Sequence, residues 1–244
     1  MPDPKPLVFA DLDDTLFQTR RKMNGNAPHR QAAVAGNGDP RKSSFMTTQQ
    51  SVLFDWLNST TELIPVTARS GDAFSRVELP FHSWAIISNG AVILGPDGTP
   101  HADWAARTQD LLHPLADQMQ DILDQGRSAA RMHDIDIRSW IVTENDLATY
   151  VVFKLNEISE VSLMGLEALP IHAEGWTRHF NSETLALIPP GSGKAAATDY
   201  LHQHLNPDGT RPSLGFGDSL SDLHYMQGTD ILMIPSRSQI AASL

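Results

Sequence analysis

The chain has 244 residues, no cysteine and a formal net charge of −11, with 41% hydrophobic and 19% charged residues. That length holds one large domain or two small ones, in a globular rather than a disordered mix. The lack of cysteine excludes disulfides, thiolate metal sites and a cysteine nucleophile, and the acidic balance argues against general nucleic-acid binding, which needs Lys and Arg against phosphates. A small anion could still bind at a local positive spot or at a metal ion.

In chain order, Leu7 to Leu12 ("LVFADL") is a short apolar run ending in acids and reads as a buried strand. It does not read as a signal peptide, and no later run is long enough to span a membrane, so the expectation is a soluble cytoplasmic protein with no membrane partner, a monomer or small homo-oligomer. Residues 18–44 are rich in Gly, Asn, Arg and Lys without a steady apolar period and read as a long loop. From Thr47 the pattern turns helical, with Thr47 or Thr48 as N-cap and Val52, Leu53, Trp56 and Leu57 on one face.

"ELIPVTA" and "SWAIISNGAVIL" read as strands, and "GPDGTP" carries an Asp-Gly hairpin signal. A helix follows from about Asp103 to Gln125, with Gly126 suited to its end and Pro114 able to kink or split it. Its Leu/Met stripe, Leu111 to Leu123, reads as core packing. "DIDIRSWIV" and "ATYVVFKL" read as strands, "SEVSLMGLEAL" as a short helix capped by Ser159, and "GWTRHF" and "ETLALI" as a hairpin about Asn181-Ser182. Then come the helix "GKAAATDYLHQHL", the strand "SLGFGD", a helical turn in "SDLHYMQG" and a last strand "DILMI". The ends alternate strand and helix, as in a parallel α/β sheet, while the middle has the rhythm of an inserted α+β module. Expected bounds are 1–90 and 184–244 for the α/β core and 91–183 for the insert.

"PPGSGK" before Ala195 has the look of a nucleotide-binding P-loop, but that motif needs a glycine where Ile188 stands and a hydroxyl where Ala195 stands. Another grouping is stronger. Asp11 and Asp13 end the first strand, Thr67 ends a second, Asp218 and Asp222 follow a third, and Lys194 opens a helix. A parallel sheet gathers its ligand site at the carboxyl ends of its strands, so these segments can converge on one crevice. Each piece alone has a bland reading: Asp13, Asp14 and Thr15 as a helix start, Thr67 as a strand-end hydroxyl, Asp218 to Asp222 as a capping stretch.

Taken in order, the four motifs resemble those of the haloacid dehalogenase-like (HAD) phosphohydrolases: Asp11-Leu12-Asp13-Asp14-Thr15, Thr67, Lys194, and Gly217-Asp218 through Asp222. "ISNGA", before the insert, resembles the capped branch that holds Cof-type sugar phosphatases and sucrose-phosphate phosphatase. The resemblance covers about the first ninety and last sixty residues; the insert matches in position and α+β character only. It implies a Rossmann-like parallel-sheet core with an inserted α+β cap, and a phosphatase acting on a small phosphorylated metabolite, with a sugar phosphate as the expected substrate. It implies Asp11 as nucleophile, Asp13 as general acid and base, and Thr67 and Lys194 holding phosphoryl oxygens. It also implies Mg²⁺ on Asp11, the Asp13 backbone carbonyl and Asp218, with Asp222 in support. Residues i and i+2 of an extended segment point the same way, which suits both carboxylates to one phosphate. Thr15, Arg69, Asn89, Lys154 and Arg178 are further candidates for substrate contact.

Two departures from that pattern stand out. Ser221 replaces an Asn common in the branch, and the polar stretch after Phe17 is long; it is either a flap bringing Arg20, Arg21 and Lys22 toward substrate or a surface loop. A phosphomannomutase-like phosphomutase and a non-catalytic metabolite-binding relative remain alternatives. "HDIDIR" reads as a solvated strand face, with His133, Ile135 and Ile137 on one side. His202 and His204, two apart on a helix, point different ways and do not read as a metal site.

Overall fold

A computed structural model describes residues 4–23, 25–36, 38–39, 43–181 and 183–244. The chain divides into two units, unit 1 being residues 1–101 and 194–244 and unit 2 residues 102–193. Both seams fall about ten residues beyond the expected bounds. The reason is strand pairing: the strand at 92–94 pairs within unit 1, and the one at 184–188 pairs within unit 2.

Unit 1 is built on a four-stranded parallel sheet ordered β13-β12-β1-β5, where β1 is Leu7–Ala10, β5 Glu62–Pro65, β12 Ser213–Phe216 and β13 Ile231–Met233. All four β1 side chains are buried, as expected of a central strand covered on both faces. Ala10 stands in register with Pro65 on one side and Phe216 on the other, so the three chains leave the sheet at one edge. Val66 bridges Ile86 in parallel, which brings β6 (Ala85–Ile87) to the same edge. There the chain reverses through Ser88, Asn89 and Gly90, all at positive φ, into β7 (Val92–Leu94). The run expected as one strand is therefore a hairpin of two.

Helix α1 (Thr48–Thr60) starts in a capping box, with Thr47 as N-cap and Gln50 bonding back to its N–H. Its buried residues are Ser51, Phe54 and Leu57, while Val52 and Trp56 are 65% and 56% exposed. Of the expected apolar face, Leu57 is buried and Leu53 packs against the core, while Val52 and Trp56 turn outward. Phe54 is directed inward, meeting Phe81 edge-to-face at 5.6 Å between centroids.

The segment expected as a long loop carries a small antiparallel sheet: β2 (Gln18–Thr19), β3 (Arg30–Ala33) and β4 (Ser44–Met46), ordered β2-β4-β3. A 3-10 turn spans Arg20–Met23. Its inward residues are Met23, Ala32, Ala33 and Met46, too sparse and small to show a period. Helices α2 (Gly71–Phe74), α6 (Lys194–Leu205), α7 (Leu223–Met226) and α8 (Gln239–Ser243) complete unit 1. The last was not foreseen; Ser238 caps it, its hydroxyl accepting from the Ala241 N–H.

Unit 2 is an antiparallel sheet ordered β10-β11-β9-β8, with β8 Ile137–Glu144, β9 Leu147–Leu155, β10 Thr177–Asn181 and β11 Thr184–Ile188. Ser182, in the expected hairpin turn, lies outside the described residues. Helices α3 (Ala102–Leu112), α4 (Ala116–Met132) and α5 (Glu160–Glu167) belong to the unit, the first two joined by a 3-10 turn holding Pro114. Val151, Phe153 and Leu155, alternating along β9, join Leu112, Met119, Ile122, Leu123 and Leu166 in one core. Gly126 does not end a helix; it lies inside α4, where a Cβ would stand 2.2 Å from the Phe153 ring. His133 caps α4 and Asp134 turns at positive φ, so the strand face expected from His133 begins only at Ile137.

Candidate active site

The common sheet edge decides which side chains meet. Asp11 follows β1, Thr67 follows β5, Asp218 follows β12, and Lys194 opens α6. The Asp11 N–H donates to the Phe216 carbonyl at 2.8 Å, and the Thr67 N–H to the Ile86 carbonyl at 2.9 Å, so the pairing extends one step past the named strands.

Lys194 is the hub. Its Nζ donates to Asp11 Oδ1 at 2.6 Å and to Asp222 Oδ1 at 2.8 Å. Asp222 also accepts on Oδ2 from the Ser219 hydroxyl at 2.6 Å and the Ser219 N–H at 3.1 Å. Asp218 Oδ1 accepts from the Thr15 hydroxyl at 3.0 Å. Gly217 is required here by space: a Cβ would lie 2.5 Å from the Asp222 Cβ. Any side chain at this position would push the acid away from the lysine.

Burial pushes the Asp11 carboxyl well above the usual range; Lys194 opposes this and Asp222 adds to it. Burial would raise Asp222 too, but Lys194 and the Ser219 bonds outweigh it and hold it below the usual range. Lys194 moves up, because its two carboxylates outweigh the effect of burial. Burial, then the charge of Asp222, lifts Asp218 to about 6.

Carboxylate oxygens of Asp11, Asp218 and Asp222 lie within 4.8 Å of one another. Three acids this close, with one lysine among them, form a hard-oxygen donor set that suits a divalent cation. The three acids foreseen on the metal through their side chains, Asp11, Asp218 and Asp222, are thus together, while Asp13, foreseen there through its backbone carbonyl, turns its side chain elsewhere. Arg69 grips it in a fork, Nε on Oδ2 at 2.8 Å and Nη2 on Oδ1 at 2.7 Å. Both Asp13 oxygens are engaged by this one side chain. Arg69 also lies over the Phe17 ring, 5.1 Å from its centroid.

Thr67 is buried, its hydroxyl accepting from the Arg69 N–H at 3.1 Å. Asn89 is buried beside it and donates its N–H to the Thr67 carbonyl at 2.9 Å. Lys154 and Arg178 lie in unit 2. Lys154 is paired with Glu183 at 2.8 Å, and Arg178 donates to the carbonyls of Glu167 and Leu169 at 2.9 and 3.1 Å. These bonds tie strands and helix of unit 2 to one another. His202 and His204 pack apart, the first against Phe9 and the second against Trp84 and His101.

Tyr225 was not foreseen. Its hydroxyl donates to the Phe216 carbonyl at 2.6 Å and accepts from the Asp11 N–H at 3.1 Å. Its ring faces Lys194 Nζ at 5.8 Å. It fixes the backbone that carries Asp11, and nothing in the sequence separates it from an ordinary core tyrosine on α7.

No protein-family model and no curated protein sequence matches this chain. Solved structures do. The sucrose-phosphatase of Synechocystis sp. PCC6803, in complex with sucrose and phosphate, is 17% identical, with 98% of this chain and 86% of that chain covered at a TM-score of 0.58. The C-terminal domain of Candida (C. albicans) trehalose-6-phosphate phosphatase is 11% identical, covering 92% of this chain and 73% of that one at 0.57. A Thermoplasma acidophilum protein is 12% identical, covering 96% and 86% at 0.55. These likenesses extend over nearly the whole chain, inserted unit included, and show the fold: a parallel α/β core with a second, α+β unit inserted.

Proposed function

We propose that the chain is a phosphatase of small phosphorylated metabolites, with a sugar phosphate as the substrate class, Asp11 as nucleophile and Mg²⁺ as cofactor. The observation that carries this reading is the convergence of Asp11, Lys194, Asp218 and Asp222 at one sheet edge, with Thr67 ending the neighbouring strand. The sugar-phosphate class is supported by the sucrose-phosphatase and trehalose-6-phosphate phosphatase folds to which the chain is similar.

The steps follow from the side chains. Asp11 attacks phosphorus, and the bond to the leaving oxygen breaks, giving an aspartyl-phosphate. Asp13 supplies the proton the leaving oxygen needs, then takes one from the water that hydrolyses the intermediate. Lys194 neutralises phosphoryl oxygens as charge moves onto them, and the Thr67 hydroxyl donates to one of them. Asp11 and Asp218, with the Asp13 carbonyl and Asp222 in support, would hold Mg²⁺, which when bound offsets the repulsion between these acids and a phosphate dianion. Arg69 holds Asp13 in place until substrate arrives.

The test is release of inorganic phosphate from a panel of phosphorylated metabolites by the full chain, with Mg²⁺ and with excess EDTA. Metal-dependent release from one or more sugar phosphates is expected. Isomerised sugar phosphate without free phosphate would instead make the chain a mutase, and no turnover of any compound would end the reading.

A further inference from the structure

Charge around the sheet edge balances in an unequal way. Five carboxylates stand there: Asp11, Asp13, Asp14, Asp218 and Asp222. Three cations are paired directly with them, Lys194 with Asp11 and Asp222, Arg69 with Asp13, and Lys22 with Asp14. The remaining two negative charges equal one divalent cation. With that ion bound the set is neutral, and no positive charge within it is left over for a further anionic group.

Two cations beside the set are uncommitted. Arg20 and Arg21 are exposed and have no carboxylate partner among the described residues. Their place is not that of a loose surface segment. Met23, in the same 3-10 turn, is buried at 2% exposure, and Lys22 binds Asp14, the neighbour of the general acid. On the other side Gln18 is held by Gln50 Nε2 at 2.7 Å, and that same amide nitrogen reaches the Thr15 carbonyl at 3.4 Å. The turn is therefore fastened at both ends to the loop that carries Asp11, Asp13 and Thr15. Arg20 and Arg21 are thus exposed on a turn whose next residue, Lys22, is anchored on Asp14.

Resting on the phosphatase reading, we infer that Arg20 and Arg21 bind a second anionic group, carried by the leaving group of the substrate. The substrate class is then narrower than a neutral sugar phosphate: a sugar or polyol phosphate with a carboxylate or a further phosphate. Guanidinium groups suit both anions through paired N–H donors. Two cations on a chain of net charge −11 are too few for a nucleic acid or an anionic membrane, each of which needs a run of them.

The experiment uses hydrolysis of p-nitrophenyl phosphate with Mg²⁺, and measures competition by glucose 6-phosphate, 6-phosphogluconate and fructose 1,6-bisphosphate. In the parent chain, one or both of the latter two compete at least roughly tenfold better than glucose 6-phosphate. In the double variant Arg20→Gln, Arg21→Gln that ratio falls toward one. Preference for 6-phosphogluconate assigns a carboxylate, and preference for the bisphosphate assigns a phosphate. A parent without preference, or a ratio the double variant leaves unchanged, overturns the inference while leaving the phosphatase reading intact. A parent that does not hydrolyse p-nitrophenyl phosphate at all overturns both. Both arginines are exposed, and an unchanged thermal midpoint shows that the variant is folded.

Discussion

The two units bury different things. Among the described residues, unit 1 buries Asp11 and Asp222 with Thr15, Thr67, Asn89 and Ser219, most of them at the sheet edge. Among the described residues, unit 2 buries no charged side chain, and its two buried threonines, Thr108 and Thr149, each donate to a nearby backbone carbonyl, of Trp104 at 3.0 Å and Val142 at 2.8 Å. Its charged side chains stay at or near the surface. Burying a charge is costly unless it is paired, and even a paired one is seldom the most stable choice. Unit 2 is what a sequence selected for packing looks like. Unit 1 keeps a buried charge cluster that packing alone does not call for, and such clusters gather at functional sites.

The contrast can be broken most sharply at Lys194. Lys194→Met leaves Asp11 and Asp222 buried without their cation, and removing one partner of such a pair costs roughly 3–5 kcal/mol. Urea unfolding should register that loss, with aryl phosphate turnover falling at the same time. A stable, active Lys194→Met variant would show that the acids do not depend on the lysine.

Gly126→Ala tests the other unit. The added Cβ would stand 2.2 Å from Phe153 and force α4 off the sheet. Overpacking of this kind costs roughly 1–3 kcal/mol. The expected result is a lower thermal midpoint with turnover per folded molecule retained. Equal loss of both would mean that the chemistry leans on unit 2 packing.

Acidity sharpens the picture of the metal site. The Asp218 carboxyl sits at about 6 in the fold against 3.8 for a free side chain. Between those values the metal-free fold holds a proton that the unfolded chain has released, so this group favours the fold less as pH rises through that window. A cation must displace the same proton to bind. The gain in thermal midpoint on adding Mg²⁺ should therefore be full above about pH 6 and shrink below it, by up to roughly 1.4 kcal/mol per pH unit. A gain that does not change between about pH 7.5 and about pH 5 would remove Asp218 from the site.

The acids of the first and last motifs and Lys194 were legible because their spacing and their place at strand ends both pointed to one edge. Register then did the rest: Ala10, Pro65 and Phe216 lie side by side, and Asp11, Thr67 and Asp218 follow them. Other features were hidden for physical reasons. The small sheet at 18–46 has strands of two to four residues with alanine as inward residue, too short for a period to emerge. Gly126 was taken for a helix end because glycine serves two purposes, positive φ at a terminus and close approach in an interior, and the sequence does not separate them. On α1, Val52 and Trp56 match the helical period as well as Phe54 does, and it is the packing of Phe54 and Leu57 into the unit 1 core that sets which face turns inward. The Arg69–Asp13 fork joins residues 56 apart and is a property of the folded edge alone.

The most direct test is Asp11→Asn, which keeps the shape of the side chain and its contact with Lys194 but removes the nucleophilic carboxylate. With Mg²⁺ and p-nitrophenyl phosphate, turnover should fall by at least about 10³-fold while the folded state persists. Turnover within about tenfold of the parent would mean that another group attacks phosphorus.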